Sequence, residues 1–236
     1  MAETALITGA NRGLGLALTR TLLERGDTVW AACRRPDETE KLTQLAGCHG
    51  DRLNVVAMDV TEEFSVSAAV DQVAGAARCL DLLVNNAAVF ADSMDDDLDD
   101  WDLALTRQAF ETNTLGSVRV TRACRALLRE SPRPRVINVT STLGSITLEA
   151  DRGSYAYGPS KCAMNYLTRT LAAKLAGEGI VVVAVHPGWM QTRMGGPGAE
   201  IDPAESAEGI VRLADGLTAD HAGTWFEWTG RPIRDY

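Results

Sequence analysis

A short apolar run, Thr4–Thr8, passes directly into the turn Thr8-Gly9-Ala10-Asn11-Arg12-Gly13-Leu14-Gly15 and then into a stretch with helical spacing, residues 14–25. The glycines fall as GxxxGxG rather than GxGxxG, but the physical demand is similar. Glycine permits a tight turn and lets the backbone approach a bulky anion closely. The helix that follows presents free N–H groups and its positive end to that anion. An ordinary strand-to-helix turn also uses glycine, so the turn gains its meaning from its place between the first strand and the first helix. On that reading Gly9, Asn11, Arg12, Gly13, Leu14 and Gly15 are candidate cofactor-binding residues of a dinucleotide site.

The rest of the chain repeats the alternation. Strands are expected at 28–33, 53–58, 80–85, 135–141, 180–185 and 223–228, and helices at 37–46, 62–77, 99–130, 154–176 and 204–217. Strands alternating with helices imply parallel pairing through right-handed crossovers. Apolar strands such as Ile-Val-Val-Val-Ala-Val at 180–185 imply a sheet covered on both faces. With 45% apolar and 23% charged residues the chain can fill a sizeable core. No linker or repeat interrupts the pattern, so residues 1–236 read as one domain. The acidic run 95–100 reads as a solvated helix entrance, favoured by the positive end of the helix dipole.

Charge excludes some partners. Against 23 Lys and Arg stand 32 Asp and Glu, a formal net charge of −9. Such a chain is not expected to bind nucleic acid or an anionic membrane surface. The five cysteines are scattered without a CxxC pair, which argues against a disulfide framework and a zinc site. The histidines suggest no metal cluster either. Reduced thiols, no evident signal peptide and no long apolar run fit a cytoplasmic protein.

One small basic pocket is nevertheless expected. In dinucleotide folds the end of the second strand faces the adenosine ribose, and an acid there selects NAD. Here that strand ends in Cys33, followed by Arg34 and Arg35. Arg34 and Arg12 are placed to clamp a 2′-phosphate through charge-assisted hydrogen bonds, which predicts NADP(H) as the cofactor.

Tyr157-Gly158-Pro159-Ser160-Lys161 places a phenol and an amine four residues apart, on one face if helical. Pro159 then belongs in the first helical turn. Tyr155 is the competing phenol, but it lies six residues from Lys161. Ser141 is expected at the end of the fifth strand and Asn113 inside the long helix before it. Asn85-Asn86-Ala87-Ala88 closes the fourth strand, and His186-Pro187-Gly188 closes the sixth, with Thr192 beyond. In this order the motifs resemble the short-chain dehydrogenase/reductase family over essentially the whole chain. Residues 186–192 and 194–197 are similar to its C-factor-like and sniffer-type carbonyl reductase branch.

The resemblance implies a doubly wound α/β Rossmann fold with a seven-stranded parallel sheet flanked by helices. By the same likeness Asn113, Ser141, Tyr157 and Lys161 form the catalytic tetrad. Asp59 contacts the adenine amino group, with Val60 beside it. Asn85 and Ala87 belong to the motif lining the cofactor, with Ala88 in place of a glycine. Pro187, Gly188 and Thr192 contact the nicotinamide carboxamide, and Tyr157 and Lys161 reach the nicotinamide ribose. Asn113 holds a water that links Lys161 to solvent.

The chemistry follows from hydride transfer between nicotinamide and a carbonyl or alcohol. Reducing a carbonyl leaves an alkoxide that must be protonated. A phenol of pKa about 10, lowered by a nearby ammonium, serves as acid for reduction and base for oxidation. Ser141 donates to the carbonyl oxygen. His186 reads as structural.

Two departures from the family pattern bear on the substrate. Ser141 and Tyr157 lie 16 positions apart, and the extra residues fall in the polar loop 147–153. Only ten residues separate Thr192 from Pro203, so the substrate loop, about 189–203, is short and the pocket open. Trp189, Met190 and Met194 are candidates for an apolar wall, with core packing an equal alternative for Trp189. Aldehydes or ketones of moderate size are the expected substrates. The alternative is a dinucleotide-sensing regulatory protein with little turnover. A homodimer or homotetramer is compatible with the two long helices.

Overall fold

The computed structural model describes residues 2–90, 97–148 and 154–234. In chain order the elements are β1 (Thr4–Thr8), α1 (Gly13–Arg25), β2 (Thr28–Cys33), α2 (Glu40–His49), β3 (Leu53–Ala57), α3 (Glu63–Ala76) and β4 (Leu82–Asn85). Then come α4 (Leu103–Ala109), α5 (Gly116–Arg129), β5 (Arg135–Val139), α6 (Tyr157–Leu175), β6 (Val181–His186), α7 (Pro203–Gly216), β7 (Trp225–Glu227) and β8 (Pro232–Ile233). They form one sheet in the order β3-β2-β1-β4-β5-β6-β7-β8. The first seven strands pair in parallel, as the doubly wound Rossmann reading requires. The sheet differs from expectation at its edge, where the two-residue β8 turns back antiparallel on β7.

Side-chain alternation splits the core into two layers. Leu6 and Ile7 are both fully buried, but successive strand residues point to opposite faces. Ile7 packs with Leu18 and Leu22 of α1, Leu42 of α2 and Ile210 of α7. Leu6 packs with Val66 and Val73 of α3, Val120 and Cys124 of α5 and Ala172 of α6. Both faces of the sheet are therefore covered, which explains the unbroken apolar strands. The strand order reverses between β1 and β4, and in such sheets the crevice at the carboxyl ends of these strands is where ligands bind. No described helix is long and apolar enough to cross a membrane.

The continuous helix expected over 99–130 is broken. A 3-10 turn occupies Leu98–Asp100, and α4 begins at Leu103, capped by the Asp102 carboxylate, which accepts from Ala104 N. Between α4 and α5, Phe110–Leu115 widen into a π-turn. Such turns rotate a side chain out of the α-helical register, and here the displaced residue is Asn113. The fifth strand is also shorter than expected. It ends at Val139, and Ser141 instead caps the 3-10 turn Thr142–Gly144. Residues 95–96 of the acidic run and 149–153 of the polar loop lie outside the described residues.

Candidate active site

The turn after β1 is held from the strand beside it. The Thr8 hydroxyl accepts from Asn86 N and Ala87 N, both at 3.0 Å. Asn86 Nδ2 donates to Thr8 O (2.8 Å) and Gly9 O (3.2 Å). Gly9 and Gly13 both have positive φ, 65° and 52°. A Cβ on Gly9 would stand 2.9 Å from Ala87 Cα, so only glycine fits between the two loops. Gly15 has a different task from the one expected. A Cβ there would lie 2.4 Å from Gly9 O and 2.6 Å from Asn86 Nδ2, so Gly15 packs the helix against the turn and does not line the cleft. The first turn of α1 has no side-chain cap and no acid, which leaves its N–H groups for an anion.

A cleft of about 2450 Å³ opens over this turn, larger than a single drug-sized ligand needs. Gly9, Asn11, Arg12, Gly13 and Leu14 line it, as do Arg34, Asp59, Val60 and Ala87. At the other end it is lined by Ser141, Tyr157, Lys161, Pro187, Gly188 and Thr192. Asp59 is oriented by Thr61, whose N–H and hydroxyl both donate to its Oδ1 (3.0 and 2.7 Å). Arg12 and Arg34 are exposed and close enough for the charge of Arg34 to lower the Arg12 pKa, as burial and Arg193 also do.

Asn85 is the first correction. It is buried beneath the cleft, and its Nδ2 donates to Thr121 Oγ1 (2.9 Å) and Asn138 Oδ1 (2.8 Å). Asn138 in turn donates to Thr168 Oγ1. Asn85 ties β4 to α5 and β5, and its neighbours Asn86 and Ala87 face the cleft instead. A two-residue alternation places one of the pair inward, and the sequence did not say which.

The phenol, hydroxyl and amine do come together. Tyr157 opens α6, and Pro159 sits in its first turn. The phenol hydrogen-bonds with the Ser141 side chain, and Lys161 Nζ lies 5.5 Å from the Tyr157 ring centroid. Two glycines allow this approach. A Cβ on Gly144 would meet Lys161 C at 2.7 Å, and one on Gly158 would meet Leu143 O at 2.9 Å. The Ser141 turn thus lies flat on α6. Phe90 packs on the Tyr157 ring with centroids 4.8 Å apart. Tyr155 faces elsewhere and stacks on Trp101 at 4.9 Å.

The protonation states depart from the expectation that an ammonium lowers the phenol pKa. Burial pushes the Tyr157 phenol up to about 12, opposed by its hydrogen bond with Ser141. Burial also lowers Lys161 to about 8. Desolvation disfavours the charged form of each group. Lys161 Nζ instead donates to Val139 O at 2.8 Å.

Asn113 is buried behind the cleft rather than in its lining. Oδ1 accepts from Val89 N (2.8 Å), and Nδ2 donates to Val89 O and Ser160 Oγ (both 3.0 Å). Ser160 Oγ donates to Tyr157 O. Both amide hydrogens of Asn113 are thereby used, while Oδ1 keeps a second acceptor site. It positions the segment after β4 against the first turn of α6.

His186 also acts through structure, its Nδ1 accepting from Thr142 N at 3.3 Å. Burial lowers its pKa to about 4, although Glu227 pulls the other way. The fold therefore holds the neutral ring. Its contribution to stability is fully present above pH 6.5 and is lost as the pH falls toward 4, on the order of 3 kcal/mol. Urea midpoints at pH 7 and pH 4.5 should show this loss, and His186→Gln should flatten it. An unchanged acid loss in that variant would remove His186 from the account.

The short loop after β6 folds on itself. Met190 and Ile201 form a β-bridge, and Gln191 N donates to Ile201 O at 2.8 Å. The Trp189 indole is 56% exposed and donates to Gly195 O at 2.7 Å, so it belongs to the loop and the cleft wall, not to the core.

A parallel sheet with a glycine turn at its switch point, and a Ser-Tyr-Lys cluster beside it, defines a class of dinucleotide-dependent oxidoreductase. The sequence model for short chain dehydrogenase matches residues 3–200. The chain belongs to the short-chain dehydrogenase/reductase family of oxidoreductases. It is 41% identical over 154 residues to the C-signal protein of Myxococcus xanthus, covering 65% of this chain and 92% of that one. Its fold is similar to carbonyl reductase Sniffer of D. melanogaster, with TM-score 0.93 and 30% identity over 99% of each chain. It is also similar to an NADPH-bound carbonyl reductase from chicken fatty liver, with TM-score 0.91 and 30% identity over 98% of each chain.

Proposed function

We propose that this protein is an NADPH-dependent carbonyl reductase that reduces aldehydes or ketones and oxidises the corresponding alcohols. The whole chain, 1–236, would act as one NAD(P)-binding domain with a short substrate loop at about 189–203. The observation that carries the reading is the buried Tyr157 phenol, hydrogen-bonded with Ser141 and set beside Lys161, at the end of a cleft that begins at the glycine turn.

The cleft fits the cofactor. Gly9 and Gly13 leave a cradle that side chains would fill, and Arg12 and Arg34 supply unpaired positive charge for a 2′-phosphate. Asp59, Val60 and Ala87 would flank the adenine end, and Pro187, Gly188 and Thr192 the nicotinamide end. Once bound, the dinucleotide supplies the hydride.

The chain's own residues handle the proton. A phenol held near pKa 12 stays protonated at neutral pH, the state a general acid needs for reduction. Tyr157 Oη gives its proton to the forming alkoxide. Ser141 Oγ holds the carbonyl oxygen as charge develops on it. Lys161, with its pKa lowered to about 8, remains largely cationic at pH 7 and stabilises the phenolate left behind. Phe90, Leu143, Trp189 and Met194 give the substrate end an apolar wall, which suits carbonyl compounds of moderate size.

Purified protein should consume NADPH on some members of a panel of aldehydes and ketones. Tight NADPH binding without consumption on any carbonyl would favour a cofactor sensor instead.

A further inference from the structure

The substrate loop carries a charge that the proposed function leaves unused. Arg193 lines the same cleft as Arg12 and Arg34. Its neighbour Thr192 lies against the glycine turn, with Cγ2 3.3 Å from where a Cβ on Gly13 would stand. The loop is fastened around this point: Gly195 N donates to Thr192 Oγ1 (3.2 Å) and Gly196 N to Thr192 O (3.1 Å). The loop's own hydrogen bonds thus hold Thr192 at the turn and carry Arg193 beside it in the cleft.

Among the described residues no carboxylate forms an ion pair with Arg12, Arg34 or Arg193. Elsewhere Arg25, Arg119, Arg125 and Arg231 all have such partners. Asp59, Glu38 and Asp202 line the same cleft, yet none of them is ion-paired with these three guanidiniums, which leaves them available to an external anion. Arg34 follows β2, Arg12 lies in the turn after β1, and Arg193 follows β6. All three line the one cleft, close enough that Arg193 and Arg34 add to burial in lowering the Arg12 pKa.

We propose that Arg193 is a phosphate ligand carried on the substrate loop, completing with Arg12 and Arg34 a row of guanidiniums for the phosphates of the dinucleotide. This rests on the cofactor reading above and extends it. Through Arg193 the loop that walls the substrate is drawn against the cofactor by its phosphates, so cofactor binding and substrate affinity are coupled. The phosphate is either the diphosphate bridge or the 2′-phosphate, and the two dinucleotides separate these sources.

The test is calorimetric titration of wild type, Arg193→Gln and Arg193→Lys with NADPH and with NADH at two salt concentrations. Loss of a charge-assisted contact should weaken NADPH binding roughly tenfold in the Gln variant. It should also flatten the salt dependence, while Lys restores part of both. Equal weakening toward NADH assigns the diphosphate, and weakening confined to NADPH assigns the 2′-phosphate. Removing a like charge should leave the ligand-free Tm unchanged or higher, yet shrink the Tm gain at saturating NADPH. The carbonyl KM should rise several-fold with kcat nearly constant. Wild-type affinity and wild-type salt dependence in Arg193→Gln would overturn the assignment. Failure of the wild type to bind either dinucleotide would instead overturn the cofactor reading, and this inference with it.

Discussion

Tyr157→Phe is expected to lose at least roughly a thousandfold in kcat/KM for carbonyl reduction, within the span general acid catalysis contributes, while binding NADPH within a few-fold of wild type. The variant isolates one atom. The ring is 8% exposed and packs on Phe90, and phenylalanine keeps that packing. The lost hydroxyl was hydrogen-bonded with Ser141, whose Oγ still accepts from Leu143 N at 3.3 Å. The fold should survive, with Tm changed by a few degrees at most. Tyr155→Phe is the matched control, because Tyr155 stacks on Trp101 away from the cleft. The pH profile adds a second reading. Burial pushes the phenol pKa up to about 12, so alcohol oxidation, which needs the phenolate, should accelerate as pH rises from 7 and level off above about 8, where Lys161 loses the charge that supports the phenolate. Turnover retained in Tyr157→Phe would end the assignment of Tyr157 as the acid.

Much of this site could be read from residue order, because the chemistry is carried by side chains at fixed spacing. Tyr157 and Lys161 share a helix face wherever a helix forms, and the glycines at 9 and 13 mark positive φ whatever surrounds them. What escaped were features that exist only in tertiary contact. The π-turn at Phe110–Leu115 contains Asn113, which is hydrogen-bonded to Val89 and Ser160, and nothing in a helical periodicity announces that. Asn85 and Asn86 are identical in type, and only strand register sends the first into the core. Gly15 looks like a phosphate-binding glycine, but its missing Cβ serves packing against Gly9. Gly144 and Gly158 carried no signal, since their role is the approach of a turn to a helix. Burial of the phenol is another such feature: adjacency of Lys161 favours the phenolate, whereas depth in the fold pushes the Tyr157 pKa up.

Cofactor choice is where local sequence and long-range electrostatics meet, and it yields the second large effect. The wild type should prefer NADPH to NADH, and Arg12→Gln/Arg34→Gln should abolish that preference. NADPH affinity should fall at least roughly a hundredfold, since two charge-assisted contacts to phosphate are lost. NADH has no 2′-phosphate, and its affinity should change by about threefold or less. The argument turns on what is missing near β2. That strand ends in the buried Cys33, where an acid would bind a ribose hydroxyl and repel a phosphate. Arg35 also lines the cleft, but its charge is paired with Glu38 at 3.1 Å, whereas no such ion pair is formed by Arg34 among the described residues. Both substituted residues are exposed, so the double variant should fold normally, which melting without cofactor will verify. Equal kcat/KM for NADPH and NADH in the wild type would sink the preference. A double variant that still favours NADPH tenfold would move the 2′-phosphate away from this pair and toward Arg193, the remaining cation of the row.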